Sequence, residues 1–198
     1  MAIPSSEFSA VILLNEIDLH CKLISKAIEY LDKAAEHWKK LELSIDDGMI
    51  FPPIEIIVYC NTCLSSAHSL SELLFLGKRT KNKLKINRRC NSLMKLLDNP
   101  SLPSIENFNV RNDWIHIDER LDVLLELKTY RSYSRIHVSA KELKKGTFAL
   151  RHFNPSNLSI KFDSNAMLLN KLVDEINLLT IGVENAFKYL ESNPSNLY

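Results

Sequence analysis

The chain has 198 residues, of which 45% are hydrophobic and 25% are charged, as expected of one globular domain. It contains only four glycines and seven prolines, so long regular elements are expected rather than disorder. The formal net charge of +1 excludes a uniformly basic surface, and any attraction for phosphate must come from local patches. No apolar run is long enough to span a membrane, and the N-terminus lacks a secretory signal pattern, so no membrane association is predicted.

The first two predicted helices are long and amphipathic, because apolar residues recur at steps of three and four. The first covers about residues 8–43. Its apolar stripe is Leu14, Ile17, Cys21, Ile24, Ile28, Leu31, Ala35 and Trp38. The second opens at Pro52-Pro53, where a missing N–H costs little, and closes at Gly77. Its stripe is Ile56, Cys60, Cys63, Ala67, Leu70 and Leu74.

The four cysteines, Cys21, Cys60, Cys63 and Cys90, are too widely spread for a small secreted disulfide scaffold. This spacing favours a reducing, cytoplasmic location. Cys60 and Cys63 form a CxxC pattern, but a structural zinc site needs a second pair and a redox motif needs a preceding strand. We therefore predict that the cysteines are small buried residues, and that the protein needs no metal or cofactor.

The most basic segment of the chain leads into the third helix. Its cations are Lys78, Arg79, Lys81, Lys83, Lys85, Arg88 and Arg89. Such a run is either a solvated face or a nucleic-acid-binding patch, because clustered Lys and Arg release counterions from a phosphate backbone. No aromatic residue is interleaved, so base stacking is not expected here. The helix stops at Asn99-Pro100, and its apolar stripe is Ile86, Cys90, Leu93 and Leu97.

Two further helices are predicted on either side of an insertion. Ser104 caps the fourth helix, which runs to about Lys128. Its stripe is Val110, Trp114, Ile117, Leu121 and Leu124. Ser164 caps the last helix, in which Gly182 permits a close helix contact. The stripe of that helix is Leu169, Leu172, Ile176, Leu179, Val183 and Leu190.

Between these helices the helical period breaks. Apolar residues alternate on both sides of Asn154-Pro155-Ser156-Asn157, which predicts a β-hairpin. The alternating residues are Phe148, Leu150 and His152 before the turn, and Leu158, Ile160 and Phe162 after it. The predicted fold is therefore all-α: an antiparallel bundle of about five helices in a single domain, residues 1–198. One small hairpin lies in an insertion at about residues 129–164, before the C-terminal helix.

The segment from Arg111 to Asp122, RNDWIHIDERLD, has the densest charge and ring chemistry in the chain. In an ideal helix Asn112 and His116 lie one turn apart, roughly opposite Trp114. His116 is therefore expected on the polar side of the helix. Arg111 lies about 140° around the helix from His116. Either the helix begins or bends at Arg111, or the two side chains converge across a dimer axis.

Arg, Asn and His together suit the cleavage of RNA by its own 2′-hydroxyl. A histidine can take up or release a proton near neutral pH. The fork of an arginine matches phosphate oxygens and stabilises the charge that builds up in the transition state. Asn112 can orient the phosphate or His116. We predict Arg111, Asn112 and His116 as catalytic residues, and no HExxH or carboxylate cluster in the sequence indicates a metal site.

The string RNDWIHIDERLD, on a late helix of an all-α chain, resembles the HEPN superfamily. The motif of that superfamily is Arg, four to six residues, then His, often with a polar residue directly after the Arg. Arg111, Asn112 and His116 match it. The chain departs from one prokaryotic branch, which has Glu and an aromatic residue around the His, by having Ile115 and Ile117 there.

The resemblance implies a homodimer whose two motifs meet in one cleft. It implies a metal-independent endoribonuclease, an RNA hydrolase of toxin–antitoxin or defence systems, with a possible antitoxin protein as partner. It also leaves a second function open, because some HEPN proteins are inactive dimerisation or interaction modules. In that case Arg111, Asp113, Glu119 and Arg120 form a solvated, salt-bridged face. A third hypothesis is a nucleotide-binding or regulatory domain that uses the basic run.

Overall fold

A computed structural model describes residues 7–44, 54–75, 83–106, 110, 132–134, 137–138, 147–149, 151–162 and 165–193. Most of these residues are helical, which confirms the predicted mainly helical class. The contacts divide the chain into two compact units. One unit comprises Met1–Ser25, Ser65–Glu106 and Lys171–Tyr198, and the other comprises Lys26–Leu64 and Asn107–Asn170. None of the described helices combines the length and apolar character needed to cross a membrane.

The first two helices follow the predicted stripes. Helix α1 spans Glu7–Ser44, and helix α2 spans Ile54–Leu74. Every residue of both predicted apolar stripes is buried. The opposite side of α1 carries exposed i,i+3 and i,i+4 ion pairs, as expected of a helix with one buried face. Gly77, the predicted C-cap of α2, lies outside the described residues.

Helix α3 spans Lys83–Leu96 and ends as the Asn99-Pro100 pattern predicts. Asp98 and Asn99 have φ values of 69° and 50°, in the left-handed region that Asp and Asn tolerate better than most residues. The N–H of Asn99 donates to the carbonyl of Met94 at 2.7 Å, so the end of the helix satisfies one of its own free carbonyls. Cys90, Leu93 and Leu97 of the predicted stripe are buried, and Ile86 is half-buried.

Helix α4 spans Pro103–Glu106. The sequence predicted Ser104 as its N-cap, and this prediction was wrong. Ser104 is already inside the helix, and its N–H is one of the free donors of the first turn. The acceptor is the carboxylate of Glu175, at 2.8 Å and 3.0 Å from its two oxygens. The N–H of Ile105 donates to the same carboxylate at 3.0 Å.

Helix α5 spans Leu169–Ser192, and its whole predicted stripe is buried. The predicted start at Ser164 was wrong, because the strand Asn165–Leu168 comes first. The predicted close contact at Gly182 is confirmed. A Cβ atom placed on Gly182 would lie 3.0 Å from the main-chain oxygen of Leu97. The absence of a side chain therefore lets α5 approach the end of α3.

The predicted hairpin is one part of a larger sheet. Strands β4 (Arg151–Asn154), β5 (Ser159–Phe162) and β6 (Asn165–Leu168) form an antiparallel meander. Strand β2 (His137–Val138) pairs with β4 in parallel. Two further short strands, β1 (Ser132–Ser134) and β3 (Thr147–Ala149), pair in parallel with each other. The sequence therefore predicted too few strands, although the turn between β4 and β5 lies where the sequence predicted it.

The buried face of β4 also differs from the prediction. The predicted alternation put His152 on the apolar face of the hairpin, but Phe153 is the fully buried residue of this strand. Phe153 pairs across the sheet with Ile160, which is also fully buried. The larger ring gains more from burial than the imidazole does. A shift of one residue in a strand exchanges its two faces, so His152 is only half-buried.

Candidate functional site

The predicted catalytic residues Arg111, Asn112 and His116 lie outside the described residues. Residues 107–109 also lie outside the described residues, but the residue just before the motif, Val110, is described. Val110 is helical and only 4% exposed. Val110 is the first member of the predicted stripe of the fourth helix, and the other members of that stripe lie outside the described residues.

The start of α4, eight positions before Arg111, is held by a buried charge. Glu175 is only 5% exposed, and its carboxylate accepts hydrogen bonds from the N–H groups of Ser104 and Ile105. The positive end of the helix dipole and two otherwise free donors meet this negative charge. Sequence reasoning missed Glu175, because a partner 70 positions away leaves no local signal.

The predicted nucleic-acid-binding run is described only in part. Lys78, Arg79 and Lys81 lie outside the described residues, and Lys83 begins α3. Lys85 and Arg88 are exposed and are therefore accessible to a phosphate. Arg89 is different, because it is half-buried and its Nη2 donates to the carbonyl of Glu72 at 2.9 Å. Its guanidinium therefore satisfies a carbonyl near the end of α2.

A cavity of about 400 Å³ lies among α1, α2 and α3. Its walls include Glu16 and His20 of α1, Glu72 of α2 and Arg89 of α3. Nδ1 of His20 and Nε of Arg89 are buried and have no hydrogen-bond partner in the described part of the chain. These walls carry both acidic and basic groups, so the cavity favours neither an anionic nor a cationic ligand.

The CxxC cysteines are buried, as predicted. All four cysteines are free and buried. Burial raises the pKa of the Cys63 thiol to about 12, and burial also raises the pKa of the Cys60 thiol well above its ordinary range. Burial, followed by the negative charge of Asp18, raises the pKa of Cys21 to about 12. Among the described residues, no group of three or more His, Cys, Asp or Glu side chains is arranged to hold a metal ion.

These buried thiols predict a loss of stability in alkali. A thiol with an ordinary pKa of 9.0 ionises in the unfolded chain first, so the folded form binds more protons above that pH. The free energy of unfolding should therefore be unaffected by Cys21 and Cys63 below pH 9, and should fall between pH 9 and 12. Urea titrations over this range measure the effect. A Cys21→Ala/Cys63→Ala variant should show a shallower fall, and an equal fall would contradict the assignment.

An exposed cluster on α1 and α2 also escaped the sequence analysis. The rings of Tyr30 and Tyr59 stack with centroids 4.7 Å apart and planes 5° from parallel. The ammonium groups of Lys26 and Lys33 lie 5.1 Å and 5.6 Å from the centroid of Tyr30. Both ammonium groups bind the carboxylate of Glu29, at 2.8 Å and 2.6 Å. The spacing of the three charged residues was visible in the sequence, but the contact between the two tyrosines depends on how α1 and α2 pack.

Comparison with known proteins adds no relative. No protein-family model, curated protein or solved structure matches the chain.

Proposed function

We propose that the protein is a metal-independent endoribonuclease of the HEPN type that acts as a homodimer. In this proposal the helices form an antiparallel bundle, and His116 is the acid or base. Arg111 stabilises the reacting phosphate, and Asn112 orients it. A role in a toxin–antitoxin or defence system, with an antitoxin protein as partner, follows from the same resemblance.

The observation that carries the proposal is the Arg111-Asn112-x3-His116 motif, which directly follows the helical residue Val110. The burial of Val110 supports it, because that residue gives the phase of any helix that continues from it. At about 100° per residue, Trp114, Ile117 and Leu121 fall within roughly 40° of Val110. Asn112 and His116 fall on the opposite half of the helix. The imidazole is then on the polar side, where an RNA can reach it.

The chemistry needs only groups that the motif contains. A general base takes the proton of the 2′-hydroxyl, and the 2′-oxygen attacks the adjacent phosphorus. The bond to the 5′-oxygen breaks, and that oxygen receives a proton from a general acid. The products are a 2′,3′-cyclic phosphate and a 5′-hydroxyl. Arg111 stabilises the charge on the non-bridging oxygens during this step, so the reaction needs no metal-bound water.

A homodimer would solve the geometric problem within one motif. Arg111 and His116 are about 140° apart on a regular helix, so one chain does not easily aim both at the same phosphate. Two helices related by a twofold axis bring the Arg111 of one chain towards the His116 of the other. The proposed site is therefore shared between two copies of the chain.

The substrate itself tests the proposal. The purified protein should cleave a single-stranded RNA in EDTA and leave a 2′,3′-cyclic phosphate, detected by mass spectrometry. A matched oligonucleotide with 2′-deoxy sugars should stay intact, because the nucleophile is missing. Cleavage of the deoxy substrate, or a complete loss of activity in EDTA, would overturn the proposed mechanism.

A further inference from the structure

The exposed face of α1 around Tyr30 holds two positive charges against an aromatic ring. Tyr30 is 39% exposed, and the side chains of Lys26 and Lys33 are 60% and 67% exposed. Tyr59 stacks on one side of Tyr30 and is itself half-buried. The ring that the lysines contact is therefore already fixed, and a ligand would not have to order it.

The carboxylate of Glu29 lies between the two ammonium groups of this cluster. Its two oxygens each meet one ammonium group, Oε2 with Lys26 and Oε1 with Lys33. The hydrogen bonds from Lys26 and then Lys33 hold the pKa of Glu29 at about 2, so the carboxylate stays charged at neutral pH. One anionic group with two oxygens thus already bridges the lysines, and a phosphate diester offers the same pair of charged oxygens.

We propose that Lys26, Lys33 and Tyr30 form a contact site for single-stranded RNA, in which a phosphate replaces the carboxylate of Glu29 between the two lysines. When the ammonium groups turn to the phosphate, a base can stack on the face of Tyr30 that they leave. Lysines bind the backbone without reading its sequence, and aromatic rings accept any base. This combination fits an unpaired strand, whose bases are free to stack.

The inference deepens the proposed function and rests on it only for the choice of RNA as the polymer. It adds a binding surface that contains none of the motif residues. This surface differs from the basic run of residues 78–89, which has cations but no interleaved aromatic residue. The Glu29 carboxylate makes the site self-inhibited, because the RNA must displace an internal anion.

Fluorescence anisotropy with a labelled single-stranded RNA tests the site in the 198-residue protein. All variants carry His116→Ala and all samples contain EDTA, so that cleavage does not interfere. Lys26→Gln/Lys33→Gln removes both charges, Tyr30→Leu removes the stacking face, and Glu29→Gln removes the competing anion. Lys22→Gln is the matched control, because Lys22 pairs with Asp18 at 2.6 Å with the same spacing as Lys33 with Glu29.

The lysine double variant should bind RNA about tenfold more weakly near physiological salt, and the slope of log K against log salt should fall by about 1.4. Tyr30→Leu should weaken binding by about fivefold or more. Glu29→Gln should bind about two- to fivefold more tightly, since each lysine loses a competitor. Lys22→Gln should bind RNA with the same affinity as the protein that carries His116→Ala alone. An unchanged affinity in the lysine double variant, or a loss as large in Lys22→Gln, would overturn the site.

The gain at Glu29 is the sharpest of these outcomes, since misfolding does not produce tighter binding. If Glu29→Gln binds RNA no more tightly than the protein that carries His116→Ala alone, the carboxylate does not compete with phosphate. The result is also separate from the proposed catalysis. RNA binding that depends on Lys26 and Lys33, in a protein that cleaves no RNA, would leave this site standing and remove the ribonuclease. RNA cleavage in a protein whose RNA affinity does not depend on these lysines would support the ribonuclease and remove this binding site.

Discussion

Replacing His116 with alanine should lower the rate of RNA cleavage by about 10²–10⁴-fold, the usual contribution of general acid–base catalysis. The protein should remain folded, because the proposed helix places His116 on its polar side. Arg111→Ala should give a loss of about 10²–10³-fold, since it removes charge stabilisation of the transition state. Single-turnover cleavage rates measure both effects, and circular dichroism with thermal unfolding checks the fold.

The matched control is His37→Ala, which removes an exposed imidazole from a helix without touching the motif. It should cleave RNA at the rate of the unmodified protein. The hypothesis fails if purified, folded protein cleaves RNA equally well with and without His116. It also fails if the two histidine variants lose the same activity, because the loss would then not be specific to the motif.

Mixing the two inactive variants tests whether the site is shared between chains. If Arg111 of one chain works with His116 of the other, a mixed dimer of Arg111→Ala and His116→Ala subunits contains one complete site. Subunit exchange should then restore activity, up to about half per mixed dimer. If each chain used only its own pair, the mixed dimer would have no complete site and would stay inactive.

Glu175→Ala should lower the free energy of unfolding by about 2–4 kcal/mol. The substitution leaves the N–H groups of Ser104 and Ile105 without their buried acceptor, at a cost of about 1–3 kcal/mol for each unsatisfied buried group. It also removes a negative charge from the start of a helix. Chemical denaturation with equal m-values for the two proteins gives the difference directly.

Glu184→Ala provides the control for Glu175, because it removes an exposed carboxylate from the same helix. Its effect should stay within about 0.5 kcal/mol, as for most surface substitutions. Glu175→Gln keeps one oxygen acceptor and should cost less than Glu175→Ala. Equal losses for Glu175→Ala and Glu184→Ala would mean that the hydrogen bonds to α4 add nothing to stability.

Helices α1, α2, α3 and α5 were predictable because each has a face of buried apolar residues, and the 3.6-residue period records that face in the sequence. The strands were harder, since a strand of four residues contains only two positions on each face. In β4 the prediction placed His152 on the buried face, but Phe153 is the buried residue. The two faces of the strand were therefore exchanged in the prediction. The strand β6 was missed because Asn165–Leu168 runs directly into α5, and Ser164 resembled a helix cap.

The tertiary contacts could not be read from the sequence for a different reason. Glu175 is an ordinary polar position in the period of α5, and only the packing brings it to the start of α4. The stack of Tyr30 on Tyr59 likewise depends on how α1 and α2 pack, because the two tyrosines lie far apart in the sequence. The motif at Arg111 was visible because its residues are close together in sequence. Its chemistry therefore remains a prediction, and the described structure adds the buried helical Val110 that precedes it.

The approach of Gly182 to Leu97 restricts how the protein can vary. Glycine in a helix normally gives way to alanine with a gain of about 1 kcal/mol, and many engineered proteins use this exchange. Here the nearest obstacle is a main-chain oxygen, which every amino acid at position 97 would present. Shrinking the leucine therefore cannot make room for a side chain at 182. In a library randomised at positions 182 and 97, the variants that fold should keep glycine at 182, whichever residue stands at 97.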